Sequence, residues 1–297
     1  MNIQKLKKKI DEVTILEDIS FSLNPNELVG LIGKNGSGKT TLFRTISGQY
    51  ILDEGEIFIG DQSLASVTQL KESIFYIDEK ENFLTYYSIE KINKFYRLAY
   101  PKFDQSLYLE LMHDNKLTIT KPYRQMSKGI QGLYKIILAI SSNAEILLLD
   151  EPFDGLDVSI RKNAIGLLLE HISNSNRTAI IASHNLNELQ DVIDRALLIK
   201  DKKIQKDYPL ERIREKSRKI QLVFRSKQIP PVIKQHSKLI SRQGRVLVTF
   251  FENYDDDIKK RILQLDPLLF EELPLTLEDL FEMNLRQELL VRDERQC

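Results

Sequence analysis

Cysteine is nearly absent: the single one is Cys297, the last residue. No disulfide can form within the chain, which fits a reducing compartment. Net charge is absent as well, with 43 basic residues against 43 acidic ones. Nothing global therefore draws the chain to nucleic acid or to an anionic membrane surface, and no nucleic-acid partner is expected. No apolar run reaches the roughly 18–20 residues that cross a bilayer. The basic start, Lys5, Lys7, Lys8 and Lys9 around Leu6, leads into no apolar stretch, so a secretory signal is not expected. Internal repeats and low-complexity segments are missing too. Residues 1–20 hold no aromatic side chain.

What is present is an ordinary globular balance, 42% hydrophobic and 29% charged over 297 residues, enough for one large domain or a main domain with a small one. One stretch organises the rest. Residues 33–40 read Gly-Lys-Asn-Gly-Ser-Gly-Lys-Thr, after the apolar run Leu28-Val29-Gly30-Leu31-Ile32 and before a helix expected from about Lys39 to Gly48. This fits G-x-x-x-x-G-K-[ST] in a strand–loop–helix context. Glycines let successive backbone N–H groups turn onto phosphate oxygens. The helix N-terminus adds unpaired donors and the positive end of a dipole. Lys39 can reach the outer phosphates, and the Thr40 hydroxyl can hold Mg²⁺. The candidate ATP-binding residues are Gly33, Lys34, Asn35, Gly36, Ser37, Gly38, Lys39, Thr40 and Thr41.

Around this loop the pattern alternates between strands and helices. Ile15, Ile19, Phe21 and Leu23 suggest a strand ending at the turn Asn24-Pro25-Asn26, and Glu56-Ile57-Phe58-Ile59 another. From about 80 to 142 the spacing turns helical. Ile89, Ile92, Phe95, Tyr96 and Ala99 share a helix stopped by Pro101; Asp104 is placed to cap a second. A third begins after Ser127, its apolar face formed by Leu133, Ile136, Ile137 and Ile140. The continuous apolar runs 146–149 and 179–182 fit parallel strands covered on both faces, joined by a crossover helix over 160–172. After about 205 the character changes. The charged stretch within 206–218 reads as a linker, and 216–297 as a small α/β accessory domain with strands at 221–224 and 246–251, a helix at 255–265, and a last helix over 275–285 capped by Thr276 with Asp279.

Both apolar runs end in polar residues, where open α/β sheets bind ligands. Asp150 can hold Mg²⁺ beside a phosphate loop, and Glu151 can deprotonate the attacking water. His184 can hydrogen-bond a γ-phosphate. Met126-Ser127-Lys128-Gly129-Ile130 by itself offers no more than a helix N-cap.

With these pieces in order, residues 2–205 strongly resemble the ATP-binding-cassette (ABC) ATPases, the motor subunits of ABC transporters. Residues 33–40 match Walker A, 146–151 match Walker B with its catalytic glutamate, 153–157 resemble the D-loop ending in Asp157, and His184 resembles the switch histidine. Ser127, Lys128 and Gly129 stand where the family has its signature motif, in a form similar to cassettes of bacterial peptide- and antibiotic-export systems. The resemblance implies a P-loop fold over 1–205: a parallel sheet core, an N-terminal antiparallel β subdomain and an inserted helical subdomain. It also implies ATP hydrolysis with Mg²⁺, and a head-to-tail homodimer or heterodimer with a second ABC ATPase in which Ser127 and Gly129 close on the partner's ATP. It further implies a separate transmembrane permease subunit, and hence a cytoplasmic protein peripheral to the cell membrane. Two departures stand out. Ile10 occupies the place of the aromatic that stacks on adenine. The Q-loop glutamine is replaced by Glu79 or, by a slip of one residue, Asp78, which makes Glu79 a candidate Mg²⁺ ligand. An exporter motor for a peptide, antibiotic or lipid-like substrate is the expectation. The alternative is a nucleotide-gated regulatory subunit. A translation factor of the ABC class would carry two cassettes, and a chromosome-maintenance ATPase long coiled coils; neither pattern occurs.

Overall fold

The computed structural model describes residues 1–78, 83–118, 122–173, 175–226 and 228–280. It divides into two units, Met1–Asp207 and Tyr208–Cys297.

Within the first unit the chain forms β1 (Asn2–Ile10), β2 (Val13–Ser22), β3 (Leu28–Ile32), α1 (Lys39–Ile46), β4 (Glu54–Ile59), β5 (Gln62–Ser63) and β6 (Ile74–Ile77). Helices α2 (Ile89–Ala99), α3 (Gln105–Asp114) and α4 (Lys128–Ser141) follow. The unit is completed by β7 (Ile146–Asp150), α5 (Val158–Ile172), β8 (Thr178–Ser183), α6 (Leu186–Leu189), β9 (Arg195–Lys200) and β10 (Lys203–Pro209). The main sheet has the order β10-β9-β3-β8-β7-β6, and β9, β3, β8, β7 and β6 run parallel. Strands β3, β7 and β8 are buried at every position, which is why they read as unbroken apolar runs. The second sheet, β2-β1-β4-β5, is antiparallel. One face is covered, with Ile3, Leu6, Leu16, Ile19, Phe21 and Ile57 buried in the core, and register shifts between β1 and β2 interrupt strict alternation. Leu42, Phe43 and Ile46 of α1 join the same core as residues of both sheets, such as Leu6 and Ile57 of one and Leu148 and Ile180 of the other. Each such side chain contributes about 1.5–3 kcal/mol by leaving water. Helix α1 is thereby fixed at the mouth of β3.

The helical segment begins as its capping residues direct. Ser88 accepts from Lys91 N, Asp104 from Leu107 N and Ser127 from Ile130 N, each such cap contributing about 1 kcal/mol. Leu133, Ile136, Ile137 and Ile140 are all buried. The far end of α4 is held by a residue with no sequence signal. Arg177 is buried and donates to the carbonyls of Ala139, Ile140 and Ala144 at 2.8–2.9 Å, and burial lowers its pKa to about 10. A cation on these carbonyls neutralises the negative end of the helix dipole.

The second unit contains α7 (Leu210–Lys216), β11 (Arg218–Val223), α8 (Pro231–His236), β12 (Lys238–Gln243), β13 (Val246–Phe251), α9 (Asp256–Leu263) and β14 (Leu269–Leu273). The sheet order is β12-β13-β11-β14, antiparallel throughout. From β11 to β14 this is the β-α-β-β-α-β order of ferredoxin-like folds. Ile220, Leu222, Phe251, Ile233 and Ile262 form its core, between one face of the sheet and α8 with α9. The charged stretch within 206–218, expected as a linker, is instead the end of β10, the whole of α7 and the first residue of β11. Its charges are largely exposed, while Leu210 is buried and Ile213, three residues on, half-buried. Two anchors on one side suffice for a short helix. Thr276 and Asp279 form the reciprocal cap expected for the last helix, and residues 277–280 are helical; the rest of that expected helix, with Cys297, lies outside the described residues.

Candidate functional site

Strand order brings the site together. The C-terminal ends of β3, β8 and β7 lie side by side, so Gly33, His184, Asp150 and Glu151 meet at one sheet edge although they are far apart in sequence. Beside them is a cavity of about 610 Å³, lined by residues 35–41 together with Ile15, Arg44, Asp150, Glu151 and His184. Gly33 is buried at the root of the loop, and Lys34 is exposed. Gly38, at φ +103, stands where an added Cβ would meet Leu16 at 2.8 Å, so only glycine allows the backbone to turn there.

Lys39 is 7% exposed. Its Nζ donates to the Gly33 carbonyl at 2.9 Å and lies 3.8 Å from Glu151 Oε1. Thr40 Oγ1 donates to Asp150 Oδ2 at 2.7 Å. Glu151 takes a left-handed backbone conformation, φ +47, of the kind that concentrates at functional sites. Its Oε2 lies 3.0 Å from His184 Nδ1 and accepts from His184 N at 3.3 Å. Ser37 Oγ is buried in the loop with no hydrogen-bond partner, a polar atom suited to an incoming anion. A cation, a hydroxyl, two carboxylates and an imidazole thus share one cavity with a helix N-terminus, an arrangement suited to a polyphosphate and an attacking water.

Ser127, Lys128 and Gly129 are not among the residues lining this cavity. Ser127 caps α4 and is exposed, as is Lys128, while Gly129 packs where a Cβ would come within 3.1 Å of Ile160. Asp157 caps α5, accepting from Ser159 N and Ile160 N at 3.0 Å. Glu79 lies outside the described residues. Ile10 pairs with Val13 at the β1–β2 hairpin; the aliphatic side chain that lines the cavity is Ile15.

Sequence reasoning missed Arg44 and the role of Asp78. The Asp78 carboxylate accepts from Arg44 Nε at 3.0 Å and from Tyr76 OH at 3.1 Å, with Arg44 Nη2 at 2.8 Å. Arg44 Nη1 donates to Tyr50 OH at 2.9 Å. Burial lowers the Arg44 pKa, but its bonds to Tyr50 and Asp78 outweigh this and raise it. Burial, with Asp150 and Asp78 adding, pushes the Tyr76 hydroxyl well above its usual range, so it stays a donor. The Asp78 carboxylate is therefore committed to α1 and to Tyr76. The only sequence trace is Arg44 on the helix that begins at Lys39.

The fold and this cavity define a phosphate-loop nucleotide site. Residues 16–154 match the ABC transporter family, and the chain carries an ABC transporter ATP-binding domain, of a family that hydrolyses ATP. It is similar to the ABC transporter ATP-binding protein YtrB of Bacillus subtilis (strain 168), 28% identical over 95% of this chain and 96% of that protein. The spermidine/putrescine import ATP-binding protein PotA of Fusobacterium nucleatum is 32% identical over 71% of this chain and 58% of its own length. Among solved structures, the dimeric structure of the bacterial ABC transporter cassette MJ0796 has a TM-score of 0.62 at 20% identity, covering 70% of this chain and 98% of that one. Relatives that match this chain along most of its length are named as ABC transporter ATP-binding proteins. No helix among the described residues is long and apolar enough to cross a membrane.

Proposed function

We propose that the chain binds and hydrolyses ATP to drive export of a peptide, antibiotic or lipid-like substrate through a separate transmembrane subunit. The observation that carries the ATPase chemistry is the convergence of Lys39, Thr40, Asp150, Glu151 and His184 on one cavity. The loop 33–41 and the N-terminus of α1 bind the triphosphate, with Lys39 as the fixed cation. Glu151 takes the proton of the attacking water. His184, held against Glu151, hydrogen-bonds the γ-phosphate. Thr40 Oγ1 and Asp150 Oδ2, 2.7 Å apart, are hard oxygen donors that fit Mg²⁺ sharing its remaining positions with phosphate and water. When bound, Mg²⁺ supplies neutralisation of phosphate charge. Glu79 is a further oxygen ligand in this reading.

Two chains pair head to tail, so that Ser127 and Gly129 at the start of α4 meet the partner's triphosphate with a hydroxyl and a helix N-terminus. The location of these residues away from their own chain's cavity supports that arrangement. Export rests on the Ser127-Lys128-Gly129 form of the signature. The protein sits at the cytoplasmic face of the membrane through its permease. The test is Glu151→Gln, which keeps ATP binding, loses turnover and accumulates ATP-bound dimers. Near-normal hydrolysis in that variant removes Glu151 from the mechanism.

A further inference from the structure

Between the D-loop residue and the switch histidine lies an ion pair that the site as described does not use. Asp157 caps α5, and one turn further along, Arg161 Nη1 donates to Glu188 Oε1 at 2.5 Å. Glu188 belongs to α6, the four-residue helix just after His184. The turn between them is tightly tied: Asn185 N donates to Ser183 Oγ at 3.0 Å, and Glu188 N to the Asn185 carbonyl at 3.3 Å. Both charges are largely withdrawn from water, the side chains being 26% and 13% exposed. Burial raises the Glu188 pKa, Arg161 opposes this, and the nearby Glu151 and Asp154 reinforce it. Glu188 therefore lies within the field of the same acidic group that includes Glu151, and Arg161 is the cation holding it there.

We propose that Arg161 and Glu188 are positioning residues of the ATPase site: the pair clamps the segment 184–189 to the start of α5 and so keeps His184 set against Glu151. The physical reason is leverage. His184 is half exposed at the end of a strand, and the short helix after it has few backbone bonds of its own, with its buried anchor, Leu189, at the end far from the histidine. A partly buried, hydrogen-bonded ion pair supplies a directional tie. The same tie links the histidine to the helix that Asp157 begins, so movement of the D-loop is felt at the γ-phosphate contact. The inference rests on the assigned roles of Glu151 and His184.

The experiment uses the full chain with ATP, comparing Arg161→Glu, Glu188→Arg and the double swap, with the ATP dissociation constant and the thermal midpoint measured alongside. Each single variant is expected to lower kcat about tenfold or more while ATP affinity changes by less than about twofold, and the swap to recover most of kcat. Single variants that keep kcat within about twofold of wild type overturn the proposal. So does a swap that restores the thermal midpoint but not kcat, since that marks a structural staple only. If a charge-reversed single variant fails to fold, Arg161→Lys against Arg161→Met decides: kcat retained by the first and lost by the second supports the pair, and equal values reject it. Glu151→Gln, assayed in parallel, separates the two ideas. Full turnover there sinks the assigned roles, whereas a dead Glu151→Gln beside fully active Arg161 and Glu188 variants sinks only the positioning pair.

Discussion

The two units of this chain solve the same packing problem in opposite ways. The first has a buried parallel core sheet, and its strand ends collect polar residues at one edge. The second has an antiparallel sheet with α8 and α9 packed on one face. Parallel strands all end on the same side, so their loops converge; antiparallel neighbours send alternate ends to opposite sides. Chemistry concentrates where topology gathers loops. The difference between the units is therefore one of topology before it is one of residue types.

The largest expected effect tests whether the chemistry is confined to the first unit. Glu151→Gln is expected to lower kcat on the order of 10²–10⁴-fold with ATP affinity preserved, read by steady-state hydrolysis and equilibrium binding. A second comparison sets two buried phenylalanines against each other. Phe43, in the core shared by both sheets of the first unit, and Phe251, in the core of the second, are each fully buried. Either change to alanine is expected to cost about 3–5 kcal/mol in its own unit. Phe43→Ala should abolish ATP binding as the midpoint falls, whereas Phe251→Ala, or a chain ending at Pro209, should retain it. Loss of ATP binding in a folded Phe251→Ala protein breaks the division of labour.

Smaller effects refine the site itself. Asp78 is tied to Arg44 and Tyr76, so Asp78→Ala should lower stability by about 1–3 kcal/mol. It should leave the Mg²⁺ concentration for half-maximal turnover unchanged. Glu79→Ala should raise that concentration. A magnesium titration in which Asp78→Ala shifts and Glu79→Ala does not reverses the assignment. The smallest effect concerns the base. Among the described residues the cavity lining contains Ile15 and no aromatic ring, which removes stacking worth about 1–3 kcal/mol per base. ATP and GTP dissociation constants are expected to differ by less than about tenfold; a larger preference for ATP points to an aromatic supplied from another part of the assembly.

Legibility followed distance along the sequence in both units. The phosphate loop, the strands ending in Asp150 and Ser183, and the caps Asp104, Ser127 and Thr276 could be read in advance, because each depends on residues close in sequence. The linker reading within 206–218 missed α7 because a short helix with two apolar anchors looks like a charged run. Strand β12 and helix α8 were invisible for a related reason: only a few of their residues are buried, too few to set a period.

The sequence by itself determined that this chain holds a glycine-rich phosphate loop, an apolar strand ending in Asp150 and Glu151, and another ending just before His184, since local backbone chemistry fixes the spacing of each motif. Tertiary structure alone decided the partners of those residues. It set Thr40 against Asp150 and His184 against Glu151, committed Asp78 to Arg44, placed Ile15 rather than Ile10 in the cavity, and joined Arg161 to Glu188. Those pairings depend on which strand lies beside which, and sheet order is settled by packing over the whole unit, beyond the reach of any sequence window.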